Sequence, residues 1–160
     1  MPYYLLRLAR ALLLVVTSTF NPRAITDGDP VKQRILIVDD EEIIGETLQT
    51  YLQSSGFEVV TKMTAKDIVP ILGDSVFNLV ILDLALADAD GLEVLEIVKH
   101  KYPSLPVLIL TGMGYDDELM KEAMRLRADG YMSKTVALPQ LLSEIRRILR
   151  GPFVGHKVGV

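Results

Sequence analysis

The stretch RILIVDDEE, residues 34–42, joins a short apolar run to a dense group of acids. Four apolar residues, Ile35–Val38, lead directly into four carboxylates, Asp39–Glu42. Carboxylates held close together raise one another's pKa and resist ionising at the same time. We therefore expect something positively charged to meet these acids, and the rest of the sequence should indicate what it is.

Runs rich in Val, Ile and Leu alternate with segments of helical spacing along the rest of the chain. These runs predict five strands, at Ile35–Val38, Glu58–Thr61, Leu79–Leu82, Val107–Leu110 and Gly130–Met132. Five strands that alternate with five helices predict an α/β fold, a doubly wound parallel sheet with helices on both faces. Three of the runs are apolar throughout, as strands buried on both faces are.

Composition and charge narrow the classes of function. The chain has 160 residues and no cysteine, which excludes disulfides and thiolate metal sites and fits a reducing compartment. Residues 35–150 hold eleven basic against nineteen acidic residues, a net charge of −8. Direct nucleic-acid binding needs a basic surface, so we expect none from this part of the chain.

The sequence divides into a leader, a folded domain and a tail. Residues 1–33 are a hydrophobic leader and linker, in which Arg7 and Arg10 precede an apolar run shorter than the ~20 residues that span a bilayer. Three interpretations stay open for it: a non-native or wrongly extended start, a targeting or anchoring segment, and an extra helix. Residues 34–150 form the predicted domain. Residues 151–160 are a tail, and the sequence beyond residue 150 is too short for a helix-turn-helix.

Charged and hydroxyl side chains follow four of the predicted strands. Asp39 and Asp40 follow the first strand, Asp83 the third, Thr111 the fourth and Lys134 the fifth. A single Asp at a strand end is usually a cap or turn residue. Five such side chains at one edge of a parallel sheet, where ligands bind, instead predict a functional site. Carboxylates without His or Cys nearby form an all-oxygen site that suits Mg²⁺.

These residues also carry a resemblance to the receiver domain of two-component response regulators. The segments ILIVDDE, DLALADADGLEVL, LILTG and ADGYMSK occur in that family's order, and the resemblance covers roughly residues 34–150. It implies a flavodoxin-like sheet with strand order 2-1-3-4-5. It also implies a cytoplasmic protein that accepts a phosphoryl group from a histidine kinase or a phosphotransfer protein.

The resemblance assigns a role to each residue of the predicted site. Asp83 would be the phosphoacceptor, since a carboxylate can attack phosphorus and form an acyl phosphate. Mg²⁺ would be held by Asp39, Asp40, Asp83 and the backbone carbonyl of Ala85. Lys134 would hold one phosphoryl oxygen. The cation would also relieve the repulsion among the acids.

The resemblance further implies a switch. Thr111 would donate its hydroxyl to the phosphoryl group, and Tyr131 on the fifth strand would turn from exposed to buried. The output surface would be helix 4, strand 5 and helix 5, at about residues 116–150. Its partner would be a downstream protein target or a DNA-binding domain absent from this chain, and a homodimer could form through the same surface.

Two loops depart from the family's pattern. Leu86 and Ala87 stand where the pattern D-x-x-M-P-x-x-D-G has Met and Pro, which predicts a looser loop. Thr135 follows Lys134 where the family has a cis proline. A cis bond before a non-proline residue costs ~3–4 kcal/mol, so the loop is either re-routed with a trans bond or strained.

Two further pairs of residues bear on dephosphorylation and on the start of the first helix. Ala85 and Met113, two residues after Asp83 and Thr111, carry no polar group to orient a hydrolytic water, which predicts slow self-dephosphorylation. Glu41 and Glu42 suit the first turn of a helix.

Alternatives of other classes stay open. One is a pseudo-receiver, a docking module that is never phosphorylated. Another is a haloacid-dehalogenase-like phosphatase, although VDDEE lacks the D-x-D expected after its first strand. A flavodoxin-like cofactor binder would need a phosphate loop where four acids stand. We expect a protein that catalyses its own phosphorylation and dephosphorylation rather than a turnover enzyme.

Overall fold

Residues 31–114 and 116–151 are described by the structure, a computed structural model. Predictions that concern the leader at residues 1–30 and the tail at residues 152–160 lie outside the described residues. The boundaries proposed for the folded domain, 34 and 150, stay predictions.

The strands form a single parallel sheet. They are β1 (Arg34–Val38), β2 (Glu58–Lys62), β3 (Leu79–Leu82), β4 (Val107–Thr111) and β5 (Gly130–Ser133). Their order is β2-β1-β3-β4-β5, and every neighbouring pair is parallel. This confirms the α/β class and the strand order implied by the resemblance.

In the described part of the chain, four α-helices connect the strands and a fifth follows β5. They are α1 (Glu42–Ser54), α2 (Ile68–Asp74), α3 (Gly91–Lys101), α4 (Asp117–Arg125) and α5 (Leu138–Leu149), with a 3₁₀ turn at Ala65–Asp67 before α2. Two of them begin at acidic caps: Asp90 accepts a hydrogen bond from Leu92 N at 2.8 Å, and Asp116 accepts from Glu118 N at 2.9 Å. Among the described helices, none has the length and apolarity needed to cross a membrane.

Each face of the sheet carries its own apolar core, because alternate residues of a strand point to opposite faces. In β1, Leu36 and Val38 pack on the side that carries α2, α3 and α4. Ile35 and Ile37 pack on the other side, against α1 and α5. Helices therefore cover both faces, which explains why β1, β3 and β4 are apolar at nearly every position.

The register of the strands places the acids side by side. Val38 pairs with Leu82 across β1 and β3, so Asp39 and Asp83 follow at the same level of the sheet. A hydrogen bond from Asp83 N to Val38 O, 3.0 Å long, continues the pairing beyond the last strand residues. The carboxyl edge of the sheet thus brings together two acids that lie 44 positions apart in the sequence.

Candidate functional site

Asp39 and Asp83 are buried at the carboxyl edge of the sheet, with 5% and 3% of their surfaces exposed. Backbone amides hold both carboxylates in place. Asp39 Oδ1 accepts from Glu41 N at 2.9 Å, and Asp83 Oδ1 accepts from Ala85 N at 3.2 Å. The second oxygen of Asp83 is thereby left facing the interior of the site.

Lys134 supplies the positive charge that the acidic stretch requires. Its Nζ lies 2.7 Å from Asp83 Oδ2, 2.8 Å from Asp39 Oδ2 and 2.7 Å from Glu41 Oε1. Only 7% of its side chain is exposed. The backbone of Lys134 is fixed by its own hydrogen bond to Thr111 O, at 2.8 Å. One ammonium therefore stands against three carboxylates in a largely dehydrated position.

Burial and hydrogen bonding shift the protonation of this group. Burial raises the pKa of Asp39, and the hydrogen bonds from Lys134 and from Glu41 N offset only part of that effect. Burial alone would lower the pKa of Lys134, but its hydrogen bonds to Asp39, Asp83 and Glu41 together raise it well above its usual range. Lys134 is consequently a permanent cation at physiological pH.

Glu41 contacts the lysine of this cluster, in addition to standing at the start of a helix as the sequence indicated. It precedes α1 as its N-cap residue, but its side chain makes no capping hydrogen bond. Its carboxylate contacts Lys134 instead. Nothing in the local sequence marks this contact, because Lys134 lies 93 residues away and only the folded sheet brings it near.

Asp40 lies differently from its neighbour. Among the described residues, the carboxylates whose oxygens gather within 4.8 Å of one another are those of Asp39, Glu41 and Asp83. Asp40 is not in this group, and its Oδ2 accepts a hydrogen bond from Ala87 N at 2.9 Å. Two of the three acids that the sequence predicted at this edge, Asp39 and Asp83, are in this group, and Glu41 is its third member.

Thr111 and Tyr131 lie on neighbouring strands next to the acids. Thr111 is fully buried, and its Oγ1 accepts from Met113 N at 3.2 Å. Tyr131 pairs with Ile109 across β4 and β5 and is half-buried against the core on the α2, α3 and α4 side. Their positions are compatible with the switch that the resemblance implies, which stays a prediction.

The loop after Lys134 is re-routed rather than built on a cis bond. In the described part of the chain, no peptide bond is cis. Ser133 Oγ accepts from Thr135 N at 3.2 Å and lies 2.8 Å from Thr135 Oγ1. These side-chain contacts close a turn in which Lys134 points at the acids without a proline after it.

The loop between β3 and α3, residues 83–90, is tied to its surroundings at several points. Leu86 is buried, and Ala85 forms an isolated bridge with Asp90. The carboxylate of Asp88 accepts from Ala65 N at 3.0 Å and from Lys66 N at 3.3 Å. These bonds oppose the loosening expected from the missing proline, which stays a prediction.

The donor set of the site is made of oxygen atoms. Two carboxylates are buried, a third is at the rim, and a lysine partly neutralises them, so net negative charge is left facing the edge of the sheet. The negative charge of such a site can attract a hard cation. A carboxylate oxygen of the site can act as a nucleophile toward an electrophile beside it.

Comparison with known proteins agrees with this geometry. Residues 35–146 match the family model of the response regulator receiver domain. The chain is 34% identical to the response regulator protein FleR of Pseudomonas aeruginosa over 124 residues, which is 78% of this chain and 26% of FleR. It is 34% identical to the transcriptional regulatory protein QseB of Haemophilus influenzae over 123 residues, 77% of this chain and 55% of QseB.

A solved structure shows the same fold. The CheY-like response regulator receiver domain protein of Methanospirillum hungatei superposes with a TM-score of 0.70 at 31% identity, covering 74% of this chain and 94% of that one. The chain therefore spans about a quarter to a half of the two curated relatives but nearly all of the solved domain.

Proposed function

This chain belongs to the response regulator receiver domain family, and we propose that it accepts a phosphoryl group on Asp83. The observation that carries this proposal is the contact of the Lys134 ammonium with both buried carboxylates, Asp39 and Asp83. A nucleophilic oxygen, a fixed cation and a buried hydroxyl, that of Thr111, then lie at one edge of the sheet. Phosphoryl transfer requires mainly such positioning and charge neutralisation.

In the proposed reaction an oxygen of Asp83 forms a bond to phosphorus while the bond between phosphorus and its donor breaks. The donor leaves with the electron pair of that bond. Lys134 already touches Asp83 Oδ2 at 2.7 Å, so it is placed to hold an oxygen of the arriving group as a point charge. The amide of Ala85 holds the other oxygen of Asp83 and fixes the direction of attack.

The residues present fit a bound Mg²⁺. The gathered oxygens of Asp39, Glu41 and Asp83 and the absence of His or Cys from this cluster suit a hard cation. We propose that Asp39, Asp40, Asp83 and the carbonyl of Ala85 hold it, with Glu41 nearby. The cation would supply neutralisation of the carboxylates and of the phosphoryl oxygens.

The partners are proposed from the family. The phosphoryl donor would be a histidine kinase or a phosphotransfer protein in the cytoplasm. The output would leave through α4, β5 and α5 to a downstream protein or to a DNA-binding domain outside this chain, with a homodimer through that surface as one form of output. A displaced Lys134 would favour a docking module that is never phosphorylated. Lys134 instead contacts Asp39 and Asp83, which supports the phosphoacceptor proposal.

Incubation with acetyl phosphate and Mg²⁺ tests the proposal. Mass spectrometry of the intact protein should show the addition of one phosphoryl group, and Asp83→Asn should lack it. Asp74→Asn, a change of the same kind at an exposed residue at the end of α2, is the matched control and should gain the group normally.

Two outcomes would contradict the proposal. The first is no mass gain in the unchanged chain, and the second is an equal gain in Asp83→Asn. Steady turnover of a generic phosphomonoester would instead favour a phosphatase.

A further inference from the structure

The contact between Asp40 and Ala87 depends on a departure of this chain from its family's pattern. Ala87 stands where the pattern has proline, and proline has no backbone N–H to donate. Here Ala87 N donates to Asp40 Oδ2 at 2.9 Å. A chain with proline at position 87 could not form this hydrogen bond.

The amide of Ala87 is the fixed partner in this contact. Its neighbour Leu86 is buried, and its other neighbour, Asp88, is held by the amides of Ala65 and Lys66. The bridge between Ala85 and Asp90 closes the same loop. Any rearrangement at this contact therefore falls to the side chain of Asp40, which is only half-buried.

Asp40 is the predicted ligand that the structure leaves out of the cluster. The oxygens of Asp39, Glu41 and Asp83 lie within 4.8 Å of one another, and Asp40 is bound elsewhere. A move of its carboxylate toward the other acids would exchange one hydrogen bond to a charged acceptor for one metal bond.

We propose that the Ala87 amide holds Asp40 away from the clustered carboxylates, and that Mg²⁺ recruits Asp40 only by displacing this hydrogen bond. The inference rests on the proposed function, since it concerns the metal of that site. It makes Ala87 a positioning residue that acts through its backbone. It also couples the loop between β3 and α3 to metal occupancy.

Substitution of the amide donor is the first test. Titration calorimetry should give a Kd for Mg²⁺ about three- to tenfold lower in Ala87→Pro than in the unchanged chain, because no hydrogen bond has to be broken. Leu86→Met, which restores the family's other residue in this loop, is the matched control and should leave the Kd unchanged. An equal or higher Kd in a folded Ala87→Pro variant would overturn the inference.

Amide exchange measured by NMR is the second test and does not depend on the proline variant folding. In the unchanged chain without metal, exchange of the Ala87 amide should be several-fold slower than in Asp40→Ala. Saturating Mg²⁺ should remove this difference. Protection of Ala87 that is the same in Asp40→Ala, or that Mg²⁺ leaves unaltered, would overturn the inference.

These measurements separate the inference from the function on which it rests. If Asp83 is phosphorylated in a Mg²⁺-dependent way while the Ala87 amide does not respond to the metal, only the inference is wrong. If the unchanged chain binds no Mg²⁺, the inference and the metal dependence of the proposed reaction are both overturned.

Discussion

Lys134 is the residue that neutralises the buried acids of the site. Asp39 and Asp83 are almost fully buried, and each bonds to the same Nζ. A buried charge that loses its partner is strongly destabilising, whereas an exposed pair contributes little. The contribution of Lys134 to stability can therefore be separated from that of surface lysines.

We expect Lys134→Met to lower the free energy of unfolding by about 3–5 kcal/mol at neutral pH, as measured by urea denaturation. The variant leaves Asp39 and Asp83 buried without a cation. The matched control is Lys121→Met, which breaks an exposed pair with Glu118, 2.9 Å long, and should cost less than about 1 kcal/mol. Similar losses in the two variants would contradict the role assigned to Lys134.

The difference in free energy of unfolding between Lys134→Met and the unchanged chain should become smaller as the pH falls. Burial raises the pKa of Asp39, so the native state takes up its proton at a higher pH than the unfolded chain does. Loss of the lysine removes a hydrogen bond that lowers this pKa, so the pKa of Asp39 in the native state rises further above its value in the unfolded chain. Because the native state then binds more protons, its stability relative to the unfolded chain increases with acidification.

We expect Ala85 and Met113 to influence a second property at this scale, the lifetime of the phosphoryl group on Asp83. Both side chains are exposed, and neither can orient a water for attack on an acyl phosphate. We expect the phosphorylated protein to last minutes or longer, measured as loss of the added mass after removal of acetyl phosphate. Ala85→Asn, which adds a polar group, should shorten that time. A lifetime of seconds in the unchanged chain would exclude this explanation.

At the scale of elements, the junction of β3 and α3 is built around Gly91. A Cβ at this position would lie 2.4 Å from Leu84 Cα and 2.6 Å from Asp83 O. Both are backbone atoms, so the strain could not be relieved by turning a side chain. The close approach holds the start of α3 against the backbone of the proposed phosphoacceptor.

Gly91→Ala should therefore lower the free energy of unfolding by about 1–3 kcal/mol or more and slow phosphorylation of Asp83. Gly45→Ala provides the contrast, since Gly45 lies inside α1 and, among the residues that the structure describes, a Cβ there would meet only Thr61 Cγ2, at 3.9 Å. That change should be neutral or stabilise by up to about 1 kcal/mol, because alanine favours the helix. Thermal unfolding of both variants measures the direction of each change in stability. A destabilised Gly45→Ala together with an unaffected Gly91→Ala would contradict the close packing assigned to Gly91.

At the scale of the whole molecule, the sheet connects the acids to the surface proposed for output. Thr111 ends β4 beside Asp83, and Tyr131 pairs with Ile109 one strand further along. Phosphorylation adds a dianionic group with new acceptor oxygens, which can attract the Thr111 hydroxyl. A local change of charge would then bias a larger element, as in other regulated proteins.

We expect Thr111→Ala to accept the phosphoryl group but to lose the response of α4, β5 and α5. Hydrogen exchange measured by mass spectrometry should change in that region when the unchanged chain is phosphorylated and should stay constant in Thr111→Ala. Thr50→Ala, at an exposed position on α1, is the control and should respond like the unchanged chain. A full response in Thr111→Ala would remove Thr111 from the switch.

Much of this architecture could be predicted because its signals are local. The five apolar runs and the helical spacing between them gave the strands to within one residue at each end, and strands covered on both faces leave no ambiguity of class. Asp39, Asp83, Thr111 and Lys134 could be placed at one edge because parallel strands share their direction. The contact of Glu41 with Lys134 and the turn of Asp40 toward Ala87 carried no such signal.

By itself, then, the order of residues determined the fold class and which side chains reach the carboxyl edge of the sheet, since periodicity and strand direction are properties of short segments. The tertiary structure alone decided which acids share Lys134 and which one bonds to a loop amide. Those contacts join residues 47 to 95 positions apart, and their lengths depend on strand register and on the path of two loops. Electrostatic interactions between groups so distant in sequence exist only once the chain has folded.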